Sequence, residues 1–112
     1  MNELKVIYLK EADEFIASLP QKDRMKVFYN VDQVMGGDRS ERLFRKLEGS
    51  EIWEFRTDYN GNAYRLLAFW DREERSLVVA THGFSKKAQK TPKKEIKKAE
   101  NIRLDYFKTK NK

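Results

Sequence analysis

The stretch WEFRTDYNGNAYRLLAFW, residues 53–70, places two arginines on either side of an Asn-Gly pair. Asn-Gly is a strong local signal for a two-residue hairpin loop, because both central residues of a type I′ turn take positive φ. With such a loop at Asn60-Gly61, Tyr59 opposes Asn62, and Arg56 falls directly opposite Arg65 on the same face. Like charges in that position repel and ordinarily weaken a sheet. Either Glu54, diagonal to Arg65, partly neutralises the pair, or the pair grips an anion, since guanidinium forks match the geometry of phosphate.

More cations follow. The strand LVVATHGF ends at Gly83-Phe84 and runs straight into Ser85-Lys86-Lys87, with Lys90 close behind. A helix start at Thr91-Pro92 adds free N–H groups, which favour anions. Lys46, in LFRKLEG, is placed to close the same cleft. A reaction that suits arginines and lysines without a metal is cleavage of RNA by its own 2′-hydroxyl, in which cations stabilise the charge that develops at phosphorus and on the leaving oxygen. A lysine or tyrosine can then move the proton, given a tuned pKa. Clustering of Lys86, Lys87 and Lys90 is expected to depress their pKa values mutually. Tyr59 sits beside the turn, Tyr64 belongs to the core face, and Tyr106 comes near such a site only if the last helix folds back. His82 is the one histidine, which excludes a two-histidine mechanism. Alternation puts it on the same side as Val78, Ala80 and Phe84, and a partly buried structural role is expected. No HExxH, CxxC, Gly-rich nucleotide loop or GxSxG occurs, so neither a metal nor a cofactor is expected.

The elements that position these residues are legible from periodicity. Residues 4–9, LKVIYL, predict a strand. Ala12, Phe15, Ile16 and Leu19 recur as one helical stripe, and Val27, Phe28, Val31, Val34 and Met35 as another. Pro20 divides them and Gly36-Gly37 ends the second. DRSERLFRKLEGS reads as a connection. The hairpin comes next, with Trp53, Phe55, Tyr64, Leu66 and Trp70 on the face that the helices cover. On the arginine face Ile52, Leu67 and Phe69 are apolar, so half of that face is expected to be covered too. A third hairpin-type strand follows, then a helix with Thr91 as N-cap, Pro92 at its first position and a stripe of Ile96, Ala99, Ile102 and Tyr106. The expected architecture is α+β, in the order β-α-α-β-β-β-α: a mainly antiparallel sheet of about four strands, an N-terminal helical hairpin and a C-terminal helix, forming a single domain over residues 1–112.

Charge is unevenly distributed. From Lys86 to the end of the chain there are 11 Lys/Arg against 3 Asp/Glu, whereas the residues before carry 13 against 15. A basic C-terminal quarter suggests a polyanionic partner, nucleic acid first; an ordinary charged helix face is the alternative. Absence of cysteine fits a reducing cytoplasm. No stretch has the apolar core of a signal peptide or the length of a membrane span.

Several of these motifs together carry a resemblance: Lys46-Leu47-Glu48-Gly49, Ile52-Trp53-Glu54-Phe55-Arg56, Tyr64-Arg65, His82-Gly83-Phe84-Ser85-Lys86-Lys87, and Thr91-Pro92 through Ala99. The chain resembles the RelE superfamily of toxins, and within it the phage-derived, HigB-like branch of type II toxin–antitoxin systems, over residues 4–107. The resemblance implies a small α+β toxin that cuts mRNA in the ribosomal A site without a metal. It implies catalysis by Arg56, Arg65, Lys86 and Lys87, and RNA binding by Lys46, Lys90, Lys93 and Lys94. Lys93 and Lys94, with Lys97 and Lys98, read as a solvated helix face that brushes ribosomal RNA. The implied partners are a helix-turn-helix antitoxin, the ribosome and mRNA, in the cytoplasm and away from membranes. The superfamily also contains gyrase-poisoning members, so a non-catalytic inhibitor that blocks gyrase or binds nucleic acid is the alternative.

Overall fold

The computed structural model describes residues 4–87 and 90–110. Five strands form one sheet: β1 (Lys5–Tyr8), β2 (Phe44–Lys46), β3 (Trp53–Tyr59), β4 (Asn62–Trp70) and β5 (Leu77–Ser85), in the spatial order β1-β5-β4-β3-β2. Strand β1 pairs parallel to β5, and the other neighbours are antiparallel. Helices α1 (Lys10–Ala17) and α2 (Gln21–Met35) lie between β1 and β2, and α3 (Lys93–Lys110) follows β5. The α+β architecture is as expected, with one strand more: β2 lies inside what reads in sequence as a connection. Three residues are too few to show a period, and β2 exists only because β3 offers it an edge.

Both faces of the sheet are covered. On one, Ala12 and Ile16 of α1 and Val27, Val31 and Val34 of α2 pack against Phe55, Leu66, Ala68, Val78 and Ala80. On the other, Ala99 of α3 is buried with Ile52, Leu67, Phe69 and Val79, and Ile96, Tyr106 and Phe107 pack at the margin. Burying each large apolar side chain contributes roughly 1.5–3 kcal/mol. The two faces hold their assigned residues because β3 and β4 alternate without interruption around Asn60 and Gly61, whose φ values are 52° and 82°.

Strand β5 departs from simple alternation. Leu67 pairs with His82 while Ala68 pairs with Ala80, so Thr81 is an extra residue, a β-bulge. Val78 and Ala80 therefore face α1 and α2, whereas His82 and Phe84 turn to the α3 side. This corrects the alternation that put all four on one side. The next residue, Gly83, faces α1. A Cβ there would lie 2.3 Å from the Phe15 ring, so the bare backbone lets that ring lie on the sheet.

Pro20, which divides the two stripes, is the N-cap of α2, where its carbonyl accepts the N–H of Arg24 at 2.9 Å. The start of α3 differs from expectation: the helix begins at Lys93, and the Thr91 hydroxyl donates to the buried Glu54 carboxylate at 2.6 Å instead of accepting from the helix. A buried carboxylate needs donors more than a helix end open to water does.

Candidate anion-binding cleft

The register of the hairpin is the starting point. Arg56 pairs directly with Arg65 across β3 and β4. The next residue along the α3 face of β3 is Glu54, which pairs with Arg45 of β2 on one side and Leu67 of β4 on the other. Beyond Arg65 the row continues to Phe84 of β5. Lys86 and Lys87 follow β5, and the Lys86 N–H donates to the Ala63 carbonyl at 2.7 Å, which ties this segment to β4.

These elements enclose an open cleft of about 690 Å³, lined by Arg56, Arg65, Lys86 and Lys87 together with Asp58 and the hairpin turn from Tyr59 to Ala63. The four cations expected to act together thus come together. The Arg65 side chain is 4% exposed and donates from Nη1 to Asp58 at 3.0 Å and to its own neighbour's carbonyl, Tyr64 O, at 2.9 Å. Its Nε is buried without a hydrogen-bond partner. Arg56 has Glu54 at 3.8 Å and donates from Nη1 to the Glu41 carbonyl at 3.4 Å. Glu54 therefore neutralises Arg56 and Arg45, not the diagonal Arg65, whose counter-charge is the solvent-facing Asp58. Counting Arg45, five cations surround two carboxylates, so the site is strongly positive.

Lys86 is half-buried, and its pKa is lowered from the ordinary lysine value, first by burial and then by the arginines, Arg65 foremost. The lowering thus comes from across the sheet rather than from Lys87 and Lys90, both of which are exposed. A lysine that gives up its proton more readily suits proton transfer.

Two features hold the hairpin on α2. The Tyr64 hydroxyl donates to Asp23, and Asn62 also reaches Asp23, at 3.5 Å. Asn30 donates to Thr57 Oγ1 at 3.3 Å and to the Arg56 carbonyl at 3.4 Å. Asp23 and Asn30 are buried polar groups on the same face of α2 as Val27, Val31 and Val34, and their place in that helical period was the signal that marked them.

Other expected residues lie elsewhere. Lys46 pairs in register with Trp53, so it faces away from Arg56. It approaches Glu51 at 3.8 Å and lines a separate hollow with Phe44, Trp53 and Trp70. It does not close the cleft. Arg45, one residue earlier, stands on the arginine face beside Glu54, although its side chain lines that hollow and not the cleft, and it was missed because β2 was. Lys90, Lys93 and Lys94 are exposed and do not line the cleft. Tyr106 is at the far end of β4, where α3 folds back and the hydroxyl donates to Asp71 at 2.7 Å, whereas Tyr59 borders the cleft. His82 is buried, with Nδ1 2.9 Å from the Thr81 hydroxyl and Nε2 3.0 Å from Glu95 of α3. Burial pushes its pKa down, and it fastens α3 to the sheet. Among the described residues no group of three His, Cys, Asp or Glu could hold a metal ion, and no helix is long and apolar enough to cross a membrane.

Comparison with known proteins agrees with this architecture. The family described as phage-derived Gp49-like proteins matches residues 14–103. Among solved structures, a double arginine-to-alanine mutant of the E. coli toxin RelE in the free state is similar, with a TM-score of 0.64 and 18% identity over 93% of this chain and 99% of that one. No curated protein matches.

Proposed function

The chain belongs to the phage-derived Gp49-like family and has the fold of RelE, and from that premise we propose that it is the toxin of a type II toxin–antitoxin system, a metal-independent endoribonuclease that cuts mRNA on the ribosome. The observation that carries this reading is the cleft in which Arg56, Arg65, Lys86 and Lys87 converge on a space wide enough for a nucleotide. Arg65 and Arg56 bind the non-bridging oxygens of the scissile phosphate. The 2′-oxygen attacks phosphorus, and the bond from phosphorus to the 5′-oxygen breaks. Lys86 gives a proton to that leaving oxygen while the 2′-hydroxyl releases its own to solvent, leaving a cyclic phosphate and a 5′-hydroxyl. Lys87, exposed at the rim, attracts the strand, and the exposed Lys90, Lys93 and Lys94 extend the positive surface toward ribosomal RNA. The fitting partner in the cell is a helix-turn-helix antitoxin in the cytoplasm.

The test is to map mRNA 5′ ends by primer extension after incubation with programmed ribosomes and, in parallel, with naked mRNA. Cuts at a fixed place in the A-site codon, only with ribosomes, are expected. Cuts on both RNAs would mean a free ribonuclease. No cuts from a protein that still arrests growth would overturn the catalytic reading in favour of a blocking mechanism.

A further inference from the structure

A glutamate is an expensive residue to bury, and Glu54 is wholly buried, with a side-chain exposure of 0%. An ionised carboxylate inside a protein persists only when it is paired and hydrogen-bonded. Glu54 meets both conditions from three different elements. Oε1 accepts from Thr91, in the segment that enters α3, at 2.6 Å. Oε2 lies 3.3 Å from Nε of Arg45 on β2 and 3.8 Å from Nε of Arg56 on its own strand. Being sealed under these groups, it cannot reach a substrate. It touches the arginines at their inner nitrogens, which leaves the outer ends of both forks directed elsewhere. Arg56 commits one of them weakly, to the Glu41 carbonyl at 3.4 Å, and the Arg45 side chain is 41% exposed.

We propose, resting on the function just described, that Glu54 is a positioning residue: it holds Arg56 from behind, with Arg45 as the second arm of the grip, and so aims the Arg56 fork into the cleft where the phosphodiester lies. Oε2 and the two Nε atoms are buried without a well-aligned hydrogen bond, so the grip is electrostatic and tightens when a phosphate draws the Arg56 fork into line. Thr91 sets the carboxylate's angle and couples it to the entry of α3.

Glu54→Gln keeps the size of the side chain and an acceptor for Thr91, and removes the charge. Two readouts test it. In the first, the arginine Nε–Hε resonances are followed by NMR in the free protein. Arg45 and Arg56 are expected to show slowly exchanging signals in the parent that vanish in Glu54→Gln. Signals as labile as those of a free arginine in the parent, or signals that survive the substitution, would overturn the proposal. In the second, cleavage on programmed ribosomes is measured at saturation, alongside the affinity for a cleavage-resistant 2′-deoxy oligonucleotide. A saturated rate lower by on the order of 100-fold is expected from a misplaced Arg56, with affinity for the oligonucleotide equal or tighter because one negative charge is gone. An unchanged rate, or a parallel loss of rate, affinity and melting temperature, would assign Glu54 to the scaffold alone. If the parent cleaves nothing, the endonuclease reading fails, and the NMR comparison still decides what Glu54 does.

Discussion

Arg65→Met separates the charge of Arg65 from its packing. The parent side chain is 4% exposed, so its stem is part of the interior and methionine keeps most of that volume. Removing the guanidinium loses the ion pair with Asp58, whose side chain is 70% exposed; such a pair contributes about 0–1 kcal/mol. The hydrogen bond to the Tyr64 carbonyl, at 2.9 Å, is worth about 1 kcal/mol. Against these stands relief of the direct repulsion from Arg56, roughly 0.2–1 kcal/mol. The net loss of stability is about 1 kcal/mol, a drop of roughly 4 °C in Tm for a domain of this size. The effect on cleavage is far larger. A unit charge about 4 Å from a developing anion near a surface interacts by about 4 kcal/mol, and removing one preorganised donor to such an anion costs about 100- to 1,000-fold in rate. The assay is single-turnover cleavage on programmed ribosomes, with urea unfolding of the same preparation. A rate within about threefold of the parent would refute the assignment of Arg65 to the anion. A loss of more than about 3 kcal/mol of stability would refute the ledger and make the arginine structural.

Three further outcomes follow from particular contacts. Lys86 should titrate below 10.5 by NMR of its side chain, and at higher pH in Arg65→Met, because the largest charge that lowers its pKa has been removed. Gly83→Ala forces a Cβ into the Phe15 ring, 2.3 Å away, and should cost about 1–3 kcal/mol; urea unfolding of the Phe15→Ala double variant should show most of that cost relieved. Burial, the largest single influence on Asp71, pushes its pKa up, but Lys110, Tyr106 and the Glu73 N–H together outweigh it and hold the carboxyl at about 2, down from 3.8. Because its folded pKa is depressed, its contribution is complete above pH 3.8 and is lost as pH falls through 2. Asp71→Asn should therefore lower Tm at pH 6 and close the gap to the parent as the pH approaches 2.

What the amino-acid sequence determined by itself is what local rules govern. Asn60-Gly61 dictates its own turn, the turn dictates the register, and the register places Arg56 opposite Arg65 with no other knowledge of the fold. The stripes of α1 and α2, and the two faces of β3 and β4, follow from periods that hold over seven residues or more. Tertiary structure decided whatever depends on competition between distant groups. Strand β2 forms because β3 has an edge to fill, and only then does Arg45 stand beside Glu54 while Lys46 turns away. The bulge at Thr81 rotates His82 and Phe84 toward α3, a change of phase that no alternating pattern reveals. The Thr91 hydroxyl could have capped its helix, but a buried carboxylate 37 residues earlier in the chain had the greater need of a donor. Lys86 owes its lowered pKa to burial and to arginines on neighbouring strands rather than to its lysine neighbours in sequence, because charges interact through space and not along the chain.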